Sequence, residues 1–347
     1  MNKYLFFLII IVFLAKTGNV FSNQNIFDVD NIEFSAENNT NRSKLIDRGF
    51  KLGFEKLIEK ILMNNDAKKL SNIDINQIKK LILKYQIIEN KNIASKDKIK
   101  MNISFNREKI NQFFYDKNIL YSDITKTKIV LFPVLIQNNK YYIYDKNYFY
   151  INWNNEEKET NLIEYILPIE NIDDISFIEK NKNSLESTDV KQMLNKYDVR
   201  DYIFLIINSD KDKNKIFLKG LSSSNEVVKS FDIIVNNSDE DLGKKETIKK
   251  IKIRINEIWK SQNLVDVRTP SFLNIFLEIK KENDLLNIQR VLNSIDLIQS
   301  HNVIELNKDY AKIKIKYIGK IDKIKNKLTE KKIKIYISNN QWTLKLS

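Results

Sequence analysis

Residues 310–337 read YAKIKIKYIGKIDKIKNKLTEKKIKIYI, and two periodicities meet in them. From Tyr310 to Ile318, apolar and basic residues alternate. This sets Ile313 and Ile315 on one face of a strand and Lys312, Lys314 and Lys316 on the other. From Lys320 to Leu328 the spacing becomes three and four, so Ile321, Ile324 and Leu328 share one side of a helix. Alternation returns at Ile333 to Ile337, extended by Trp342 to Leu346. Rows of Lys on such strands also discourage edge-to-edge aggregation. Working upstream, a strand from Phe272 to Ile279, a helix from Asp284 to Ile295 and a strand from Leu297 to Leu306 precede this stretch. The order βαββαβ is the ferredoxin-like pattern. The expected fold class is therefore α+β, three small α/β layers in tandem, the last of them ferredoxin-like.

The remaining boundaries follow outward. Residues 263–271, with Pro270, read as a linker, and 272–347 as the C-terminal domain. Residues 126–262 form a central α/β domain. Its continuous apolar run Lys128 to Ile136 is a buried strand, and its closing helix, Ser238 to Gln262, carries Ile248, Ile251, Ile255 and Trp259. Between them an aromatic hairpin is expected, with its turn at Asp145-Lys146-Asn147. Residues 23–125 form an N-terminal α+β domain whose long helix, capped by Asn39-Thr40-Asn41, aligns Phe50, Phe54, Leu57 and Ile61.

The chain has 347 residues, 42% hydrophobic and 30% charged, with no Cys and one His. That much apolar content is enough for several cores. Zero Cys excludes disulfides, thiolate metal sites and a Cys nucleophile. Met1-Asn2-Lys3, the apolar run Tyr4 to Ala15 and the small residue Ser22 have the layout of a secretory signal peptide, residues 1–22. Twelve helical residues span about 18 Å, short of a bilayer core. An uncleaved anchor reaching Phe21 is the alternative. The net charge is +13, but 51 of the 58 basic residues are Lys and Asn reaches 45, the bias of AT-rich codons. A surface so poor in Arg argues against nucleic acid as a partner.

Several segments resemble one exported proteobacterial family, the uncharacterised domain of unknown function two thousand and sixty-six. They are the amphipathic helix with Gly49 and Gly53, Met101 to Asn106 leading into Ile110, and Ile166-Leu167-Pro168-Ile169-Glu170-Asn171-Ile172-Asp173-Asp174. Tyr197 to Leu205 and the unit ending in Trp342 complete the match. The first unit also looks like the small α/β domains of envelope assembly factors. The resemblance implies a periplasmic address in a Gram-negative cell and an architecture, but no catalytic residue.

Two constellations stand out. Tyr142, Tyr144, Tyr148, Tyr150 and Trp153 in the aromatic hairpin form a candidate binding surface, unless alternate rings face the core. Glu170, Asp173 and Asp174 follow a strand, where carboxylates serve as cation ligands, as an acid–base pair, or as dipole partners of a following helix. No nucleophile motif, phosphate loop or dinucleotide fingerprint occurs, and His301 stands alone. No metal and no cofactor is expected. The function expected is that of an exported, non-catalytic envelope accessory or assembly factor with an envelope protein as partner. The alternative is an envelope-binding module on peptidoglycan or anionic lipid, and a hydrolase ranks third. The oligomeric state is left open.

Overall fold

The computed structural model describes residues 25–35, 41–88, 98–124, 127–155, 162–194, 196–197, 201–210, 213–222, 225–235, 240–338 and 341–346. The expected leader, residues 1–22, lies outside them. In the first layer, strand β1 (Asp28–Ser35) is followed by helices α1 (Arg42–Ile61), α2 (Asn64–Leu70) and α3 (Ile75–Leu81), then by β2 (Ile82–Ile88) and β3 (Lys98–Phe105). The strands pair antiparallel in the order β1-β3-β2. The Asn41 side chain accepts from the Ser43 N–H and caps α1. The helix lies unusually close to the sheet at Gly49 and Gly53. A Cβ there would stand 2.8 Å from the Met101 side chain and 2.5 Å from that of Ile103. Phe54, Leu57 and Ile61 are buried beneath α1, as the periodicity requires. Helix α4 (Arg107–Asp116), capped by Asn106, and the short strand β4 (Tyr121–Ser122) complete the layer.

The central layer holds β5 (Thr127–Gln137), β6 (Lys140–Tyr142), α5 (Tyr148–Asn152), β7 (Ile163–Ile166), α6 (Ile172–Lys180) and α7 (Lys191–Leu194). Then come β8 (Asp201–Ser209), β9 (Lys213–Ser222), β10 (Asn225–Ile234) and the long α8 (Glu240–Gln262). The sheet order is β10-β9-β8-β5-β6. One edge of β5 pairs in parallel with β8 from Ile129 to Ile136. Its other edge is shared, by parallel β7 at 127–130 and antiparallel β6 at 135–137. Helices α5 and α8 cover one face, with Phe149, Trp153, Ile251 and Trp259 in the core. The other face carries Ile178 of α6 and Met193 and Leu194 of α7. Coverage on both faces explains why β5 is apolar from Ile129 to Ile136.

The hairpin turn falls earlier than expected. Asn138 and Asn139, at φ 51° and 59°, join β5 to β6, a backbone that favours Asn and matches the twist of paired strands. Asp145 and Lys146 lie instead in a 3-10 turn, and Tyr148 to Asn152 are helical, because the Asn147 side chain accepts from the Phe149 and Tyr150 N–H groups. The aromatic alternation imitates a strand that the Asn147 cap prevents.

After β11 (Leu264–Val265), the last layer runs β12 (Ser271–Glu278), α9 (Asp284–Asn293), β13 (Ile298–Leu306), β14 (Tyr310–Tyr317), α10 (Ile321–Glu330), β15 (Ile333–Ser338) and β16 (Gln341–Leu346). Residues 342–346 do not extend β15. They fold back as β16, which lies between β15 and β12 and runs parallel to β12, in the order β13-β14-β12-β16-β15. The expected pattern puts the strand after the second helix directly beside β12. Here one more strand, β16, takes that place.

The expected linker is not loose. Leu264 and Val265 pair with Ser122 and Tyr121, and Asn263, Val265 and Val267 are buried. The first and last layers thereby share one apolar cluster that includes Tyr121, Val265, Leu273 and Ile295. Arg107 donates to the Ile295 carbonyl at 3.4 Å and faces Asp296 at 3.6 Å. Lys323 pairs with the largely buried Asp123.

Candidate functional site

The divided edge of β5 positions the site. Between β7 and β6, residues 131–134 have no strand neighbour on that side among the described residues. Pro133, which has no N–H to offer, lies in this gap. Its carbonyl accepts the Asn147 side-chain amide at 2.9 Å, and the same amide reaches the Tyr142 carbonyl at 3.2 Å. Asn147, fully buried, thus stands in for a missing strand. The chain passes the edge there, leaving Tyr144 in the core under α6 and Phe149 in the core under α8.

Tyr144 adopts φ 55°, a left-handed backbone that a bulky residue takes only under constraint. The constraint is visible. Its hydroxyl donates to Asp174 at 2.5 Å, and its ring meets Phe132 and Tyr150 edge-on at 5.8 and 5.4 Å. Asp174, in the first turn of α6 and 3% exposed, also accepts the Lys196 ammonium at 2.6 and 2.9 Å. The Tyr150 hydroxyl donates to the Pro168 carbonyl at 2.6 Å. Burial, with Asp174 adding to it, pushes the Tyr144 hydroxyl well above the usual tyrosine range, so it remains a donor. Burial likewise raises Tyr150 and Tyr197.

The structure therefore joins part of both constellations, through Tyr144 and Asp174. It does not join the rest. Glu170 and Asp173 are exposed, and Asp173 serves the start of α6, whose cap is Asn171. Trp153 is fully buried, with its ring 5.5 Å from that of Tyr165. Tyr142 and Tyr148 are half-buried, and Lys244 lies 5.1 Å above the Tyr148 ring. The aromatic segment is thus core on two sides of a sheet and not a platform, because its rings follow a turn and a helix instead of a strand. Among the described residues no group of three acidic or His side chains is placed to hold a metal ion. His301 bonds Asn293 through Nε2 at 2.9 Å and ties β13 to α9.

Sequence reading missed Lys196, which lies 22 positions from Asp174 and has no local signal. It also missed Ile169 and Ile172, which flank the network at 80% and 79% exposure. In the network, Asp174 accepts from both neighbours and Tyr144 donates, so the groups satisfy each other and hold the start of α6 in place.

No family model matches the chain, and no curated protein matches it. Among solved structures, one described as "Crystal structure of uncharacterized protein" is similar at 6% identity. It covers 40% of this chain and 93% of its own length, with a TM-score of 0.17. A likeness that slight carries no argument about fold.

Proposed function

We propose that the protein is an exported, non-catalytic envelope accessory or assembly factor, periplasmic in a Gram-negative cell, acting through protein contacts at Ile169 and Ile172. One observation carries this reading. Two large apolar side chains stand almost fully in water on a segment anchored by Asp174 and Pro168, whereas the polar groups beneath are consumed internally. A rigid apolar projection suits a partner's groove better than it suits chemistry. Ile175, one helical turn beyond Ile172 on α6, is also 40% exposed. The most distinctive segment of the family resemblance, Ile166 to Asp174, is the same one. We further place the last layer as a ferredoxin-like variant with one added strand. Docking on peptidoglycan or anionic lipid through the aromatic segment and the Lys surfaces is the second reading; two of its rings, Tyr144 and Trp153, are buried. The test is cross-linking in native envelopes. One stoichiometric partner, retained by the wild type and lost by Ile172→Glu with an unchanged melting temperature, is the expected result. Equal capture by both proteins would sink the reading.

A further inference from the structure

The two faces of the C-terminal sheet are unlike. Leu273, Ile275, Leu277, Ile313 and Ile315 face the core with Ile288 and Leu292 of α9 and Ile324 and Leu328 of α10. The alternate residues face away. Strand register arranges them in cross-strand rows. Phe272, Lys316 and Ser300 form one, and Asn274, Lys314 and Asn302 the next. A third crosses five strands through Tyr336, Thr343, Phe276, Lys312 and Glu305. Neighbouring strands lie about 4.8 Å apart, so that row is roughly 19 Å long. Phe272 is 59% exposed and Tyr336 44%, and Phe276 stacks on Tyr310 at 4.8 Å.

We propose that this open face binds a linear acidic glycan, a chain of sugar rings bearing carboxylates. It goes beyond the protein-contact reading and uses none of its residues. Charge complementarity is the first support. The face carries Lys312, Lys314, Lys316, Lys334 and Lys345 against Glu278 and Glu305. Lys312 is spent on Glu305 at 2.6 Å. Among the described residues, no carboxylate forms an ion pair with Lys314, Lys316, Lys334 or Lys345. Successive Lys on β14 recur every two residues, about 6.7 Å, so they meet a repeating charge and not a single one.

The remaining chemistry separates a glycan from other polyanions. Every cation in these rows is Lys, a hydrated point charge suited to single carboxylate oxygens, and none is Arg, the fork that grips phosphates and base edges. Asn274, Asn302, Thr343 and Ser300, on the same face as the rings, offer amide and hydroxyl partners for sugar hydroxyls. Phe272 and Tyr336 offer flat apolar surfaces for the C–H faces of sugar rings. The Lys314 ammonium already lies 4.9 Å from the Phe272 ring centre, so one residue pair presents both charge and ring. The face is bounded at its Lys316 and Ser300 end by Arg107, Glu108 and Tyr115 of α4, and its exposed Phe272, Asn274, Lys314 and Lys345 leave the rest open to an extended polymer.

The test titrates the full chain with hexagalacturonate by calorimetry at low salt. Saturable binding that weakens with salt is expected, with none to the fully methyl-esterified oligomer. Phe272→Ala should weaken it roughly tenfold through the lost ring. Lys314→Gln combined with Lys316→Gln should weaken it by roughly tenfold as well. These side chains face solvent, and unchanged melting curves verify that the variants fold. Absence of saturable binding overturns the proposal, as does full affinity in the double Lys variant. Equal affinity for oligothymidylate or phosphatidylglycerol vesicles also overturns it, by revealing a general polyanion surface. Ile172→Glu should leave this binding intact, so the failure of either proposal is seen separately.

Discussion

Lys260, in the last turn of α8, donates its ammonium to the main-chain oxygen of Leu62 at 2.8 Å, so a helix of the central layer closes a helix of the first. The same ammonium reaches the Glu59 carbonyl at 2.6 Å. Carbonyls at a helix C-terminus lack intrahelical partners and favour a cation. Glu257, one turn earlier, accepts the Asn64 N–H at 3.2 Å and extends the clasp into α2. Burial lowers the Lys260 pKa, with Glu257 opposing the shift.

Lys260→Met should therefore destabilise the protein by roughly 2–3 kcal/mol, the loss of hydrogen bonds to a charged group. Urea unfolding followed by circular dichroism checks this. No change in the midpoint would mean that water replaces the ammonium at no cost.

Limited proteolysis should not release residues 272–347 as a folded fragment. Residues 264–265 are paired with β4, and Val265 and Val267 are buried. Cleavage near Arg268 requires opening the cluster shared with the first layer. The measurement is the cleavage rate against urea. Rapid native cleavage with both pieces remaining folded would contradict the shared core.

Tyr165→Phe should stabilise the protein by about 1–2 kcal/mol at neutral pH, because the hydroxyl is buried without a hydrogen-bond partner among the described residues. The effect should grow in alkali. Burial holds Tyr165, Tyr121 and Tyr144 above the ordinary tyrosine value of 10.0. A raised folded value means that stability is complete below the unfolded value and is lost as pH rises through the folded ones. Wild type should thus unfold steeply above pH ~10, and Tyr165→Phe less so. Melting temperatures across pH 7 to 11 decide it.

Tyr144→Phe removes the donor to Asp174 and should cost roughly 1.5–3 kcal/mol. Chelator treatment should change the melting temperature of neither protein. A chelator-sensitive wild type would instead place a cation at Asp174.

Much of the fold was readable because burial and local period agree. The Ile and Lys alternation of β14 is the clearest instance, since Ile313 and Ile315 are fully buried whereas Lys314 is exposed. The stripe of α1 is another. The aromatic segment was misread because Tyr142, Tyr144, Tyr148 and Tyr150 keep a period of two, and the Asn147 bonds that break the strand reach back to Pro133. Helix α2, only seven residues with Ala67 and Leu70 buried, has too short a stripe to announce itself. The site was half legible. Asp174 drew notice as an acid in a helix's first turn, but its pairing with Tyr144, 30 residues upstream, is a product of sheet topology.

The shared cluster has a consequence for the order of events at synthesis. Tyr121 leaves the ribosome roughly 220 residues before Leu344, an interval of about ten to forty seconds at 5–20 residues per second. The strand opposite β4, Leu264–Val265, follows Tyr121 by about 140 residues, and the apolar neighbours that the last layer supplies come only after it. The cluster's contacts are separated widely along the chain, which slows closure further. The cluster shared by the first and last layers is therefore completed only when the C-terminal residues have been made, whereas the central layer has all its core residues once Trp259 is out.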